Sequence, residues 1–515
     1  MIGDKQEANM ELALSYMIKK IDEYAVSVLG IPARHLMEES GKAVAGAVRE
    51  LTPLGGEVAV FAGKGNNGGD GYAAACLLLN EYKVTVYDVF GKGQRSEEGK
   101  FFLGEFIRLG GEIKKLPTAD ELSASLATVS CIVDAIFGVG YSGELSESEK
   151  NLISIIKRST ARKVAVDLPL GVNPDDGSIN DSVLSVDVTV ALSYIKPGLV
   201  SYPAKAYCGR VVLSELGLPR EKLASRFGFN STLTDNDWAR RTLPTRPDNT
   251  NKGSYGKALV ITGSEKYKGA AYLSLEAALR SGAGRVTYLG CDSLRGELLS
   301  RFPEAIYVKH REDTEAAVRL SRESSATLIG SGSDTSEKTA ELACALLSSE
   351  GSPLILDADA INSIALYGGA ELIKDSPRTV ILTPHPLEFS RLSGLSVGEI
   401  QDNRISVAMK YARENSCILL LKGAATVITD GEHLYINGSG SSALAKAGSG
   451  DVLAGLLVSL LSYSKSPIEA TALAAYIHGR AGDNLAGVYS SYGVTPSDLP
   501  REICRILLEL ERPKI

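Results

Sequence analysis

At 515 residues the chain is too long for one compact core, so two or more domains are expected. Hydrophobic residues at 44% and charged residues at 23% fit a soluble globular protein, and a formal net charge of −7 offers no sign of a nucleic-acid or membrane surface. The seven cysteines are scattered without CxxC or zinc-like spacing, and residues 1–20 carry acids and no apolar signal core. The longest apolar stretch, residues 452–461, is about half a membrane span. These features predict a reduced, cytoplasmic chain with no nucleic-acid and no membrane partner.

Short apolar runs alternate with helix-length amphipathic segments, the pattern of parallel α/β sheets. In the first half, strands are expected at 58–62, 84–89, 131–136, 163–168 and 186–192. The first is followed by Gly63-Lys64-Gly65-Asn66-Asn67-Gly68-Gly69-Asp70-Gly71, with a helix expected from near Tyr72. Gly63, Gly65 and Gly68 satisfy G-x-G-x-x-G, and Asp88 falls where a ribose-binding acid belongs. That reading suggests a dehydrogenase, although a tight strand-to-helix turn would also call for such glycines. Two asparagines and Asp70 crowd the same segment. Asp134 lies at a second strand end, followed by the turn Gly138-Val139-Gly140-Tyr141-Ser142-Gly143-Glu144, and Asp167 lies at a third. Each acid alone could cap the next helix. Together, three acids at parallel strand ends would converge on one crevice.

The set G-x-G-N-N-G-G-D-G, V-D-A-I-F-G and V-D-x-P-x-G resembles the NAD(P)H-hydrate epimerase domain, the YjeF N-terminal type, over roughly residues 10–215. The closing Lys196-Pro197-Gly198 fits the same family. The resemblance implies a Rossmann-like three-layer domain, with Asn66, Asn67, Gly68, Gly69 and Asp70 holding the hydrated nucleotide. It implies that Gly138 to Glu144 and Asp167 complete the substrate site, and that potassium binds Asn67 and Asp134. Where the family has a further Ser ligand, this chain has Leu170, whose backbone carbonyl is the oxygen available. Epimerisation at the hydrated ring carbon calls for a proton-shuttling carboxylate, with Asp167 or Asp134 the candidates.

Residues 217–252 collect Pro219, Pro244 and Pro247 among few apolar runs and read as a domain connection, which places a boundary near 225. Domains are therefore expected at 1–225 and 226–515. In the second half, strands are expected at 258–262, 285–289, 326–329, 353–356, 380–383 and 417–421. The most informative motif is Lys446-Ala447-Gly448-Ser449-Gly450-Asp451, which opens a long apolar helix. Small residues let backbone wrap an anion, the helix start adds partial positive charge, and Asp451 is placed to take a proton from an attacking hydroxyl. A dipole-favoured Asp at a glycine-rich helix start is the plainer explanation.

Companion motifs are K-G-x-x-G at Lys252, D-A-D-A-I-N at Asp357, T-P-H-P-x-E at Thr383 and the run Lys422-Gly423-Ala424-Ala425-Thr426. With G-S-G-D they resemble the NAD(P)H-hydrate dehydratase domain, a ribokinase-like α/β/α fold, over about residues 230–510. By that resemblance Ala270, Gly332, His385 and Asp451 contact the hydrated nucleotide, while Lys422 to Thr426 and Gly450 hold ADP or ATP with magnesium. The family's I-G-P-G-L-G loop here reads Ile329-Gly330-Ser331-Gly332-Ser333-Asp334, without the proline.

The implied chemistry is repair of NADH and NADPH hydrates (NADHX and NADPHX). One site interconverts the epimers; the other has Asp451 deprotonate the hydrate hydroxyl, which attacks the terminal phosphate before phosphate is eliminated. A homo-oligomer is expected. A ribokinase-class small-molecule kinase shares G-S-G-D but leaves the first half unexplained. A non-catalytic nucleotide module is the other alternative, and a dehydrogenase lacks a recognisable hydride-accepting domain.

Overall fold

The computed structural model describes residues 10–91, 95–140, 144–309 and 313–511. They form two compact units, the first over Glu11–Phe229 and the second from Asn230 onward. The division falls beyond residue 225 because the helix Arg220–Phe227 belongs to the first core, into which Leu223 is wholly buried.

The first unit is built on β1 (Glu57–Ala62), β2 (Lys83–Asp88), β3 (Glu112–Lys115), β4 (Cys131–Ala135), β5 (Arg162–Val166), β6 (Val188–Leu192) and β7 (Arg210–Ser214). All are parallel, in the order β3-β2-β1-β4-β5-β6-β7. Every residue of β4 and β6 is buried, as expected of strands covered on both faces. Within β1, Val58, Val60 and Ala62 enter the core beneath α1 (Ser15–Ser27), α2 (Ala33–Leu51) and α3 (Asn66–Leu78), while Ala59 and Phe61 enter the opposite one. The sheet reverses its winding between β1 and β4, so this Rossmann-like topology opens a crevice at their carboxyl ends.

The helix expected from Tyr72 starts six residues earlier, at Asn66. A Cβ on Gly68 would lie 2.0 Å from the Gly63 carbonyl oxygen, and one on Gly71 would lie 2.6 Å from the Ala135 Cβ. Glycines that look like loop residues instead let the first turns of α3 lie against the strand ends.

The second unit carries β8 (Ser231–Thr234), β9 (Lys257–Ile261), β10 (Arg285–Leu289), β11 (Ile306–Val308), β12 (Ala326–Ile329), β13 (Leu354–Leu356), β14 (Val380–Leu382), β15 (Ile418–Leu421), β16 (Val427–Thr429) and β17 (Leu434–Asn437). Their order is β11-β10-β9-β12-β13-β14-β15-β16-β17-β8, with β16 antiparallel to both neighbours and the other pairs parallel. The helices Lys268–Arg280, Ser449–Leu461 and Pro467–Gly493 supply much of its core, giving the ribokinase-like α/β/α architecture. The supposed connection contributes β8 and the helix Asn236–Thr242; four residues, Ser-Thr-Leu-Thr, are too short and polar to stand out as a strand. All seven cysteines are free thiols. Among the described residues no helix is long and apolar enough to cross a membrane.

Candidate active sites

In the first unit a cavity of about 920 Å³ opens at the carboxyl ends of β1, β4, β5 and β6. Asn66 and Asn67 from the start of α3, Gly138 to Gly140 after β4 and Asp167 after β5 all line it. A Cβ on Gly138 would sit 3.2 Å from Asn67 Oδ1 and 3.3 Å from Asp167 Oδ2, so this glycine lets the two polar side chains approach each other. Tyr141, Ser142 and Gly143 lie outside the described residues. Glu144 is exposed and does not line the cavity. Gly68 and Gly69 pack against Gly63 and Met37 rather than facing the opening.

Asp167 adopts φ +68°, a left-handed conformation that costs an L-residue about 1 kcal/mol and turns its carboxylate across the strand ends. Its Oδ1 accepts from the Leu192 N–H at 3.2 Å and pairs with Lys196 Nζ, and its Oδ2 lies 3.4 Å from the Val139 nitrogen. Lys196 is wholly buried and also donates to the Leu192 carbonyl at 2.8 Å. Buried lysines need a counter-charge. That rule, applied to a lysine within the apolar run Tyr194 to Val200, is the signal that would have promoted Lys196 from a motif position to a site residue.

Two more acids join the cavity. Asp22, from α1, is pushed up to about 6 by burial, with Lys196 the chief opposing influence. Asp70 is held well above the usual carboxylate range, first by burial and next by Asp167, while a hydrogen bond with Ser40 acts the other way. Asp22 and Ser40 sit on amphipathic helices without a motif, so sequence reasoning missed them.

Asp134 differs from these. It is 1% exposed, its Oδ2 accepts from the Leu170 N–H at 2.8 Å and its Oδ1 from the Ile136 N–H at 3.3 Å. Burial raises it to about 6. Asp134 is held by backbone amides alone and does not line the cavity, whereas Asp167 lines it and pairs with the Lys196 ammonium. The Leu170 carbonyl accepts from the Leu184 N–H at 2.8 Å, and the Leu170 amide donates to Asp134. Asp88, the candidate ribose-binding acid, pairs with Arg95 at 2.6 Å and does not line the cavity.

In the second unit the carboxyl ends of β12, β13, β14 and β15 converge on Asp357, just after β13. Its Oδ1 accepts from Lys422 Nζ at 2.6 Å and Thr383 Oγ1 at 2.7 Å, and its Oδ2 from Ser331 Oγ at 2.7 Å. Asp357, 1% exposed, thus fixes three neighbouring strand ends, although the motif reading gave it no role.

Residues 422–426 form the hairpin turn between β15 and β16, closed by Thr426 Oγ1 donating to the Gly423 carbonyl at 2.8 Å. Buried Arg404 braces this turn, donating to the carbonyls of Leu421 and Lys422 at 2.9 and 3.1 Å. Gly423 has φ +147°, and a Cβ there would meet the Arg404 guanidinium at 2.8 Å.

Gly448, at φ +97°, turns the chain into the helix Ser449–Leu461, whose first turn carries Asp451. A Cβ on Gly450 would lie 3.3 Å from Lys422 Nζ, so the ammonium reaches the glycine turn. Burial, reinforced by Asp357 and opposed by Lys422, lifts Asp451 to about 7. His478, buried on the neighbouring helix, has Nε2 3.0 Å from the Ser449 carbonyl oxygen; burial drives its pKa down to about 4.

Ala270 and Gly332 are adjacent, for a Cβ on Gly332 would lie 2.5 Å from the Ala270 Cβ. His385 caps the helix Pro386–Ser393, its Nδ1 accepting from the Leu387 and Glu388 amides at 3.1 Å each, so the ring proton belongs on Nε2. The K-G-x-x-G motif lies at the amino end of β9, away from this site: a Cβ on Gly256 would meet the Ser462 carbonyl oxygen at 1.9 Å, a packing role.

With this geometry in place, comparison with known proteins is informative. Residues 33–198 match the family described as YjeF-related protein N-terminus, and residues 258–505 match the one described as NAD(P)H-hydrate dehydratase. The bifunctional NAD(P)H-hydrate repair enzyme Nnr of Moorella thermoacetica is 34% identical, over 98% of this chain and 97% of that protein. Its counterpart in Escherichia coli is 30% identical, over 95% and 92% respectively. A ribokinase-like superfamily protein from Enterococcus faecalis superimposes with a TM-score of 0.50 at 26% identity, covering 55% of this chain and 98% of that one.

Proposed function

Because this chain belongs to the family of bifunctional NAD(P)H-hydrate repair enzymes, an epimerase joined to a dehydratase, we propose that the cavity of the first unit epimerises the hydrates and that the Asp451 site of the second dehydrates them. The observation that carries the first assignment is the buried carboxylate and ammonium cluster at parallel strand ends. Asn66 and the backbone of residues 138–140 would orient the hydrated nicotinamide, and Asp167, held by Lys196, would exchange protons with the hydroxyl.

The residues present fit a potassium ion at Asn67 and Asp134. Asp134 is a buried carboxylate whose partners are two backbone amides, and among the described residues no cationic side chain pairs with it. Asn67 is buried in the cavity lining, where its Oδ1 is the oxygen it can offer a cation. A monovalent cation would supply the positive charge that this carboxylate lacks. Leu170 holds Asp134 through its amide, and its carbonyl, which accepts from the Leu184 N–H, keeps a second lone pair for the ion. Epimerisation by full-length protein should rise several-fold when lithium is replaced by potassium, and Asp134→Asn should abolish that response; an ion-independent rate would remove the ion from the site.

For the second site, Asp451 is a base tuned near neutrality, where proton acceptance is efficient. It would take the hydroxyl proton of the S hydrate as that oxygen attacks the terminal phosphate of ADP or ATP. The ring nitrogen's lone pair then expels phosphate and the reduced nicotinamide re-forms. Amides of residues 448–450 and Lys422 would stabilise the transferring group, and magnesium bound with the nucleotide would offset phosphate charge. Ala270, Gly332 and His385 would flank the hydrate, and the Lys422–Thr426 turn the nucleotide.

The test is incubation of full-length protein with mixed hydrates and ADP or ATP. Recovery of reduced-nicotinamide absorbance with release of inorganic phosphate is expected. A stable phosphorylated product would favour a kinase instead. Sedimentation of the same protein tests the expected homo-oligomer.

A further inference from the structure

The cavity of the first unit holds more ionisable groups than one proton transfer needs. Asp22 reaches it from α1, Asp167 from the end of β5, and Asp70 from the second turn of α3, all around the single buried ammonium of Lys196. Burial opposes charging three carboxylates around one ammonium, and it raises both Asp22 and Asp70. Asp167 is the member locked to Lys196. Asp22 stands on a different wall, yet close enough for its charge to be felt by both.

An enzyme that inverts a hydroxyl-bearing ring carbon must serve an oxygen on either face of that ring, and one carboxylate can sit on only one face. We propose that Asp22 is the second proton-transfer group of the epimerase, acting from the α1 wall while the Lys196–Asp167 pair acts from the strand-end wall. This rests on reading the cavity as the epimerase site.

The carboxylate of Asp22 takes the hydroxyl proton of one epimer. As the carbon–oxygen double bond forms, the bond from that carbon to the ring nitrogen breaks, and its electron pair passes to nitrogen and the conjugated carboxamide. Rotation about the adjacent carbon–carbon bond presents the other carbonyl face. The nitrogen then re-adds, and the oxygen takes a proton through Asp167, and Lys196 replaces that proton. Nothing is oxidised or reduced and the substrate's proton count is unchanged. The displaced proton returns from Asp22 to Lys196 through solvent at the cavity mouth, where Glu23 and Lys64 are exposed.

The electrostatics agree. Asp22 titrates at about 6, raised mainly by burial, lowered by Lys196 and raised again by Asp167 and Glu23. Asp70, bonded to Ser40, feels Asp167, Asp22 and Lys196 together. A base near 6 accepts a proton more readily than an ordinary carboxylate does.

The test uses full-length protein, pure R hydrate and ADP or ATP, following reduced-nicotinamide absorbance. Asp22→Asn is expected to lower kcat for the R hydrate by about 100-fold or more, with KM within threefold and turnover of the S hydrate unchanged. Asp22→Glu should restore part of the rate. Asp22→Ala should be rescued by added formate, and the acid limb of the rate profile near pH 6 should vanish in Asp22→Asn. R-hydrate turnover within threefold of wild type, a change in KM alone, or formate without effect would each overturn the proposal. Wild-type protein that dehydrates the S hydrate but never drains the R form would instead remove the epimerase reading itself.

Discussion

Asp451→Asn is the substitution in which chemistry and stability pull in opposite directions. The carboxyl stands at about 7 in the folded protein against an ordinary 3.8. At about 1.4 kcal/mol per pH unit, the folded state is destabilised by about 4 kcal/mol once Asp451 is fully ionised. For a carboxyl raised on folding, the favourable contribution is intact below the unfolded value and lost as pH rises through the folded one. The penalty therefore grows from about pH 4, reaches its plateau above pH 7, and nearly vanishes in acid. Asparagine keeps the shape and removes the charge. At pH 8 the variant should unfold several degrees above wild type, on the order of 2 °C per kcal/mol for a unit of this size, and at pH 4 the two should coincide. Dehydration of the S hydrate should fall by orders of magnitude in the same protein. The assay is calorimetric or fluorescence-monitored unfolding across that pH range, beside an absorbance assay of dehydration. A variant no more stable than wild type at pH 8, or stabilised equally at all pH values, would show that burial does not hold Asp451 high. Undiminished dehydration would show that it is not the base.

Three further substitutions probe the packing around the sites. Lys196→Met leaves Asp167 buried without its cation and should destabilise the first unit by about 3–5 kcal/mol, abolishing epimerisation while the S hydrate is still dehydrated; a denaturant midpoint unchanged from wild type would contradict the buried pair. Gly68→Ala places a Cβ 2.0 Å from the Gly63 carbonyl oxygen, so it should cost about 1–3 kcal/mol and slow the epimerase, both absent if α3 moves freely. His478 is buried neutral, lowered from 6.5 to about 4, so its contribution is full above pH 6.5 and lost as pH falls toward 4. His478→Gln should flatten that acid dependence of unfolding, and a profile identical to wild type would remove His478 as its source.

Much of this arrangement is legible in the sequence, and the reason is local. Strands buried on both faces read as short Val- and Ile-rich runs, so the central strands stand out; β3, with Glu-Ile-Lys-Lys, and β8, with Ser-Thr-Leu-Thr, do not. Motif positions Asn67, Asp167, Lys422 and Asp451 could be named because strand-end loops keep their chemistry close together in the chain. Groups that work through a partner distant in sequence could not. Lys196 acquires meaning through Asp167, 29 residues away, and Asp357 through Lys422, 65 away. Asp22 depends on where a whole helix packs. Glycine was the least transparent residue: the same spelling that suggests a phosphate loop serves close packing at Gly68 and Gly256.

The guanidinium of Arg404 behind Gly423 ties two positions into one evolutionary unit. A side chain at 423 would be strained by the φ of +147° and would press on the Arg404 guanidinium 2.8 Å away, which supports the carbonyls of Leu421 and Lys422. Glycine should therefore persist at 423, with arginine at 404 behind it, among sequences that keep the hairpin, and its loss should coincide with loss of the second activity.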